Sequence, residues 1–280
     1  MPSGTLYVVA TPLGNLGDLS PRAAETLRTV HTVAAEDTRY TLGLLSSIGA
    51  HPKLVSYHAH SGLKRIDLLL DLLAAGHDVA LVTDAGTPAI SDPGVEVVAA
   101  ARAAGVRVVP VAGPSAVAAA LSASGLVGDR YLFLGFPPRK GTARRRLLER
   151  AAGEPWSIVF YEAPGRLAEL LEDLIPLCGG ARHAVVAREL TKFHEEIRGG
   201  TLAELHTYYE ETTPLGEVTV VLAGQPVDEA SEPVVDQAEV ATAITERLDA
   251  GDSSKDVVRM LTARFGLSRN EAYRLVMARA

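Results

Sequence analysis

One cysteine, Cys178, is all the chain contains, so no internal disulfide can form and no cysteine spacing for a metal exists. Tryptophan also occurs once and aromatics make up only 5%, within a composition otherwise ordinary for a soluble protein. Apolar runs are cut by charge or by Gly and Pro before they reach membrane-span length, as Glu96, Arg102 and Arg107 show. The segment Met1-Pro2-Ser3-Gly4-Thr5 has neither a basic region nor a long apolar stretch, so no signal peptide is expected. These absences predict a cytoplasmic protein with no membrane contact and no metal. No G-x-G-x-x-G can be read after the first strand, which disfavours nicotinamide chemistry. No internal repeat at solenoid periods is found. A net charge of −7 argues against a wholly basic nucleic-acid binder.

What the chain does have is alternation. Its 280 residues can bury a sizeable core and are expected to divide into domains. Short β-branched runs at 6–10, 30–34, 53–56, 79–82 and 106–111 alternate with helical spacing at 21–29, 38–48, 63–75 and 91–104. That pattern predicts an α/β fold with a largely parallel sheet. After a helix at 116–123, a linker at 125–130 leads to a second α/β set. Its strands are expected at 131–136, 157–161, 184–188 and 217–222, with helices near 142–151, 165–173 and 201–209. The expected organisation is therefore an amino-terminal α/β domain (1–124), a second α/β domain (125–225), an acidic linker (226–237) and a helical tail (238–280). In the tail, Phe265-Gly266-Leu267-Ser268 places a glycine helix stop before a serine N-cap, a helix-turn-helix-like step.

Three loops at strand ends carry the chemistry. The richest is Asp84-Ala85-Gly86-Thr87-Pro88-Ala89-Ile90-Ser91-Asp92-Pro93-Gly94, where small residues let a ligand approach the backbone and Asp84, Thr87, Ser91 and Asp92 offer hydrogen-bond partners. It reads equally as a rigid strand-to-helix turn with Ser91 or Asp92 as N-cap. Thr11-Pro12-Leu13-Gly14-Asn15 and Ala112-Gly113-Pro114-Ser115-Ala116 are further small-residue turns. Such loops from one open sheet converge on the crevice at the carboxyl ends of its strands.

Together with Glu36-Asp37-Thr38-Arg39, Phe160-Tyr161-Glu162 and Arg188-Glu189-Leu190-Thr191-Lys192, these loops occur in an order that resembles the tetrapyrrole-methylase superfamily, and within it the branch that methylates small-subunit ribosomal RNA. The resemblance spans essentially the whole chain. It implies two α/β domains with S-adenosylmethionine folded between them, a homodimer, and 2′-O-methylation of a decoding-region cytidine on the small ribosomal subunit. Family cofactor contacts fall on Pro12, Ala85, Gly86, Thr87, Ile90, Ser115 and Ala116, and from the second domain on Glu162 and Leu190. Without the RNA branch, the same superfamily implies C-methylation of a tetrapyrrole precursor, or a ribosome-binding relative without turnover.

A ribose hydroxyl is hardly ionised at neutral pH, so its methylation calls for a base or a stabilising cation. Asp37 or Glu189 is the candidate to accept the proton or orient a water, and Arg39 or Lys192 to steady the oxyanion. The competing reading makes all four interdomain ion pairs. Glu195 and Glu196 read as a solvated charge run. His58 and His60, in His58-Ala59-His60-Ser61-Gly62, share one face of an extended segment but lack a third ligand, so surface hydrogen bonding is expected of them rather than metal binding. Arg139, Lys140, Arg144, Arg145 and Arg146, and in the tail Lys255, Arg259, Arg264, Arg269 and Arg274, are expected to meet RNA phosphates.

Overall fold

A computed structural model describes residues 3–126, 130–226, 237–265, 267 and 269–278. Its first sheet holds β1 (Thr5–Val9), β2 (Thr32–Ala35), β3 (Lys53–Ser56), β4 (Val79–Val82) and β5 (Arg107–Val111), in the order β3-β2-β4-β1-β5 and parallel throughout. Helices α1 (Pro21–Thr29), α2 (Thr38–Ser47), α3 (Gly62–Ala74) and α4 (Val95–Ala103) connect the strands. Every residue of β2 and β4 is buried, as expected of strands covered on both faces. One face packs Leu27, Val33 and Leu45 with Val82, the other Leu69, Leu73 and Leu81 with Val97.

Helix α5 (Ala116–Ser124) leads to a mixed second sheet. It contains β6 (Tyr131–Phe133), β7 (Ser157–Glu162), β8 (His183–Arg188), β9 (Glu196–Thr201) and β10 (Val218–Leu222) in the order β6-β7-β10-β8-β9. Only β6 and β7 pair in parallel. Its helices are α6 (Thr142–Gly153), α7 (Leu167–Cys178) and α8 (Leu202–Glu211), the last opened by a capping box in which Thr201 and Glu204 satisfy each other's backbone N–H. The two sheets share a core, because Val117, Ala120 and Leu121 of α5 pack with Val159, Val185 and Val221 of the second sheet.

The chain divides after Gln225 into two compact units. The second holds α9 (Gln237–Asp249), α10 (Ser254–Phe265) and α11 (Arg269–Met277) around Val240, Ile244, Val257, Leu261 and Val276. The linkers expected at 125–130 and 226–237 fall largely outside the described residues, as do Gly266 and Ser268 of the expected helix step. Among the described residues no helix is long and apolar enough to cross a membrane.

Three expectations are corrected. Helix α4 starts at Val95 rather than 91, and its N-cap is Gly94 at φ 144°, so neither Ser91 nor Asp92 caps it. Ala89 and Ser91 also take positive φ, which keeps the chain in a loop until Gly94 turns it. Strand β9 was unexpected, and it draws Glu196 out of the solvated run: its carboxylate accepts from Arg188 Nε at 2.6 Å and Arg198 Nε at 3.0 Å. Arg144 is 4% exposed and is withdrawn from the phosphate-facing set. It donates to Asp173 at 2.6 Å and stands 3.7 Å from Glu162.

Candidate active site

The central strands β4, β1 and β5 are neighbours, so their carboxyl-end loops lie side by side at about 4.8 Å strand spacing. Backbone bonds tie these loops together. Thr11 and Gly86 exchange N–H···O bonds of 2.9 and 3.1 Å, Thr11 Oγ1 donates to the Thr83 carbonyl at 3.0 Å, and Thr87 Oγ1 donates to the Pro114 carbonyl at 3.1 Å. A Cβ at Gly113 would lie 3.0 Å from that of Ala10, a tight contact that glycine avoids where the β5 loop approaches the end of β1.

The opposite wall comes from the second sheet. Tyr161 and Glu162 at the end of β7 pair with Thr219 and Val218 at the start of β10. Between the walls lies a cavity of about 230 Å³. Of the residues expected to hold a cofactor, Ala85, Gly86, Thr87, Ile90, Ser115, Ala116 and Glu162 line it. Ile90 is 45% exposed, so it faces the cavity instead of filling the core. Pro12 and Leu190 are buried and do not line the cavity. Leu190 packs with Leu13, Ala85 and Tyr161 in the core shared by the sheets.

Glu162 keeps its carboxylate turned inward. Oε1 accepts from the Ala163 N–H at 2.8 Å and pairs with Arg166, while Arg144 faces Oε2. Burial holds this carboxyl above the usual range, against the pull of the Ala163 N–H and the two arginines. Arg144 Nη2 and Glu162 Oε2 have no hydrogen-bond partner among the described residues.

The candidate catalytic residues stand at the mouth rather than in the lining. Asp37 caps α2 and chelates Arg39, with contacts of 2.8 Å to its N–H and 2.9 Å to Nη2. The Arg39 guanidinium holds the Asp37 carboxyl down to about 2. On the other side, Lys192 Nζ reaches Glu189 at 2.9 Å and Glu217 at 3.2 Å, and Glu217 lines the cavity. Hydrogen bonding to Lys192 lowers the Glu189 carboxyl. Burial works against charge on Lys192, yet its carboxylate partners raise it, so it stays a cation. The Lys192 chain lies over Gly14, where a Cβ would overlap it, and so joins the β1 loop to the β8 loop. Asp37 and Glu189 therefore each hold a cation, and the two pairs sit on different sheets.

Asp92, which the sequence offers as a hydrogen-bond partner but which is not among the assigned site residues, lies in the cavity wall. Burial together with nearby Glu36 pushes its carboxyl up to about 6, against a hydrogen bond from Thr83; Asp84 and Glu217 add to the rise. Asp84 is itself raised by burial while accepting the Asp37 N–H at 3.0 Å. Tyr161, also in the lining, is pushed up to about 12 by burial and then by Asp92. The sequence held Asp92 inside a recognised loop. Gly216 to Thr219 carried no such signal, since the start of an apolar strand looks alike at any site. Among the described residues, no group of three metal-ligating side chains converges at His58 and His60 or elsewhere.

A family model described as tetrapyrrole (corrin/porphyrin) methylases matches residues 5–206. A ribosomal RNA small subunit methyltransferase I of Xylella fastidiosa (strain Temecula1) is 48% identical over 254 residues, covering 90% of this chain and 93% of the relative. The protein of that name from Synechocystis is 44% identical over 272 residues, 97% of each chain. Among solved structures, a cobalt precorrin-4 methyltransferase aligns at a TM-score of 0.61 with 18% identity, over 78% of this chain and 94% of its own. The uroporphyrin-III C-methyltransferase of Thermus thermophilus aligns at 0.56 with 21% identity, over the same shares. At these identities the structures speak for the fold alone.

Proposed function

Because this chain belongs to the tetrapyrrole (corrin/porphyrin) methylase family, we propose that it transfers a methyl group from S-adenosylmethionine to the ribose 2′-hydroxyl of a decoding-region cytidine in 16S, the small-subunit ribosomal RNA. The observation that carries the acceptor is similarity along 90% or more of the chain to rRNA methyltransferases at 44–48% identity. The tetrapyrrole neighbours, at 18 and 21%, carry no acceptor with them.

The cavity suits the donor chemically. Small residues and free backbone groups line one wall, and Glu36, Asp84, Asp92 and Glu217 gather negative charge around it, which a cationic ligand would relieve. Ala85, Gly86, Thr87, Ile90, Ser115 and Ala116 hold the donor from the first sheet. Glu162 fixes the second wall through its arginines, Pro12 and Leu190 are buried outside the lining, and Asp92 would offset the donor's positive charge. When bound, S-adenosylmethionine supplies an electrophilic methyl group on a positively charged sulfur.

The rest falls to the chain's own residues. Holding the ribose hydroxyl in line and excluding water supplies on the order of 7–11 kcal/mol in favourable systems. Asp37 or Glu189 accepts the ribose proton or orients a water that relays it to solvent, although hydrogen bonding to Arg39 and to Lys192 lowers the two carboxyls. The same carboxylates hold Arg39 and Lys192 as cations beside the developing oxyanion. Residues 1–124 and 125–225 are assigned as two α/β domains flanking the donor cavity, followed by the linker 226–237 and the helical tail 238–280. The working protein is a cytoplasmic homodimer whose partner is the small ribosomal subunit.

The deciding experiment is transfer of labelled methyl from S-adenosylmethionine to small subunits that lack the modification, with the labelled nucleotide mapped. Label on the ribose of a decoding-region cytidine is the expected result. Tight donor binding without label in RNA would overturn the reading.

A further inference from the structure

The donor cavity uses only part of the first sheet's rim. Loops after β4, β1 and β5 line it, while the carboxyl ends of β2 and β3 extend the same rim outward. At about 4.8 Å per strand, the β3 end lies roughly 10 Å beyond the β4 loop, which is the scale of one nucleotide. Tyr40 stands there at the start of α2, His58 and His60 after β3, and Lys64 and Arg65 in the first turn of α3. All five are exposed, and the two imidazoles stand edge to face with centroids 6.3 Å apart.

The charge of this stretch runs against that of the chain. The whole protein has 34 acidic residues and a net charge of −7, yet no carboxylate occurs from Thr38 to Ile66. Lys64 and Arg65 have no ion-pair partner among the described residues. They also sit in the first helical turn, where the helix dipole disfavours cations, so they contribute nothing to the helix itself. Just inside them the wall turns acidic, with Glu36, Asp84 and Asp92. A polyanion meeting this boundary is attracted at the lip and repelled from the interior, so it is held at the mouth while one neutral ribose edge enters.

On the reading that the acceptor is RNA, we propose that the rim over β2 and β3 is the acceptor-docking surface: Lys64 and Arg65 contact phosphates flanking the target, and Tyr40, His58 and His60 offer faces for unstacked bases. Exposed cations supply salt-dependent affinity and aromatic or imidazole faces take splayed bases, the combination by which single-stranded RNA is recognised.

The test uses the full chain, unmodified small subunits and labelled S-adenosylmethionine. The double variant Lys64→Glu/Arg65→Glu is expected to raise KM for subunits about tenfold and to flatten its salt dependence by about two in log–log slope, with donor affinity and Tm unchanged. His58→Ala/His60→Ala is expected to raise the same KM. Arg107→Glu, on the opposite rim at the amino end of β5, is expected to match wild type. Unchanged KM in both double variants would overturn the proposal. So would loss of affinity for intact subunits with full affinity for protein-free rRNA, which would assign the surface to a ribosomal protein. A wild-type chain that labels no RNA would instead overturn the parent reading.

Discussion

Asp92 shows how one residue can be held in a form its surroundings oppose. Burial and the charge of Glu36 lift its carboxyl from 3.8 to about 6. The folded state therefore keeps this proton longer than the unfolded chain does, and the stability so gained below pH 4 is lost as pH rises through about 6. Donor binding has the opposite sign, because a cation favours the ionised carboxylate. Affinity for S-adenosylmethionine is expected to rise from pH 5 to pH 7 and then level off, as calorimetric titration would record. Asp92→Asn is expected to raise Tm by about 2 °C, to weaken donor binding about tenfold at pH 7, and to flatten that pH dependence. A variant with lower Tm and full affinity would remove Asp92 from the donor's surroundings. Ala89, Ser91, Glu189 and Thr191 are the non-glycine residues at positive φ among the described residues, two in the loop after β4 and two in the loop after β8. Backbone strain of this kind persists only where neighbours over-determine it.

Elements are joined by a buried ion network that spans α6, β7 and α7. Arg144 of α6 donates to Asp173 of α7 and to the Pro138 carbonyl, and faces Glu162 at the end of β7. Deleting it would leave Oε2 of the fully buried Glu162 side chain without its facing cation, with Arg166 and the Ala163 N–H on Oε1 alone. Arg144→Ala is expected to cost about 3–5 kcal/mol, read from urea midpoints, and to loosen the cavity wall that Glu162 supports. Adding Glu162→Gln is expected to return part of that loss, since the buried carboxylate that faced Arg144 is then neutral; a simple additive double variant would contradict this account. Helix α5 works by the reverse device. It is built from Ala, Val, Leu and Ser, so it lies close between the sheets and brings Ala116, at its first turn, into the cavity lining.

Across the larger unit, charge around the cavity is sorted by depth among the described residues. The cavity gathers carboxylates, the lip over β2 and β3 carries cations, and Arg139, Lys140, Arg145 and Arg146 lie exposed around the start of α6. A cationic donor and a polyanionic acceptor thus meet different potentials on one protein. If the working protein is the proposed homodimer, light scattering in solution is expected to return twice the chain mass at micromolar concentration. A monomer that methylates subunits at full rate would overturn the dimer.

From the sequence alone, the strands of the first sheet and the order of its loops could be read, and the family resemblance added seven of the eighteen lining residues. Those features rest on local chemistry: β-branched runs, small residues at strand ends and helix-compatible spacing act within a few positions of the chain. Arg144, Glu196 and the lining at Gly216 to Thr219 could not be read in that way. Whether a charge faces solvent or a buried partner depends on elements that are remote in sequence, and Arg144 meets Asp173 and Glu162 only once the second sheet has formed. Tertiary structure also decided that Asp37 and Glu189 each hold a cation at the mouth, because basicity is set by neighbours brought together in space. The sequence by itself determined which loops would carry the chemistry; only the packing of one sheet against the other decided which of their side chains face the cavity.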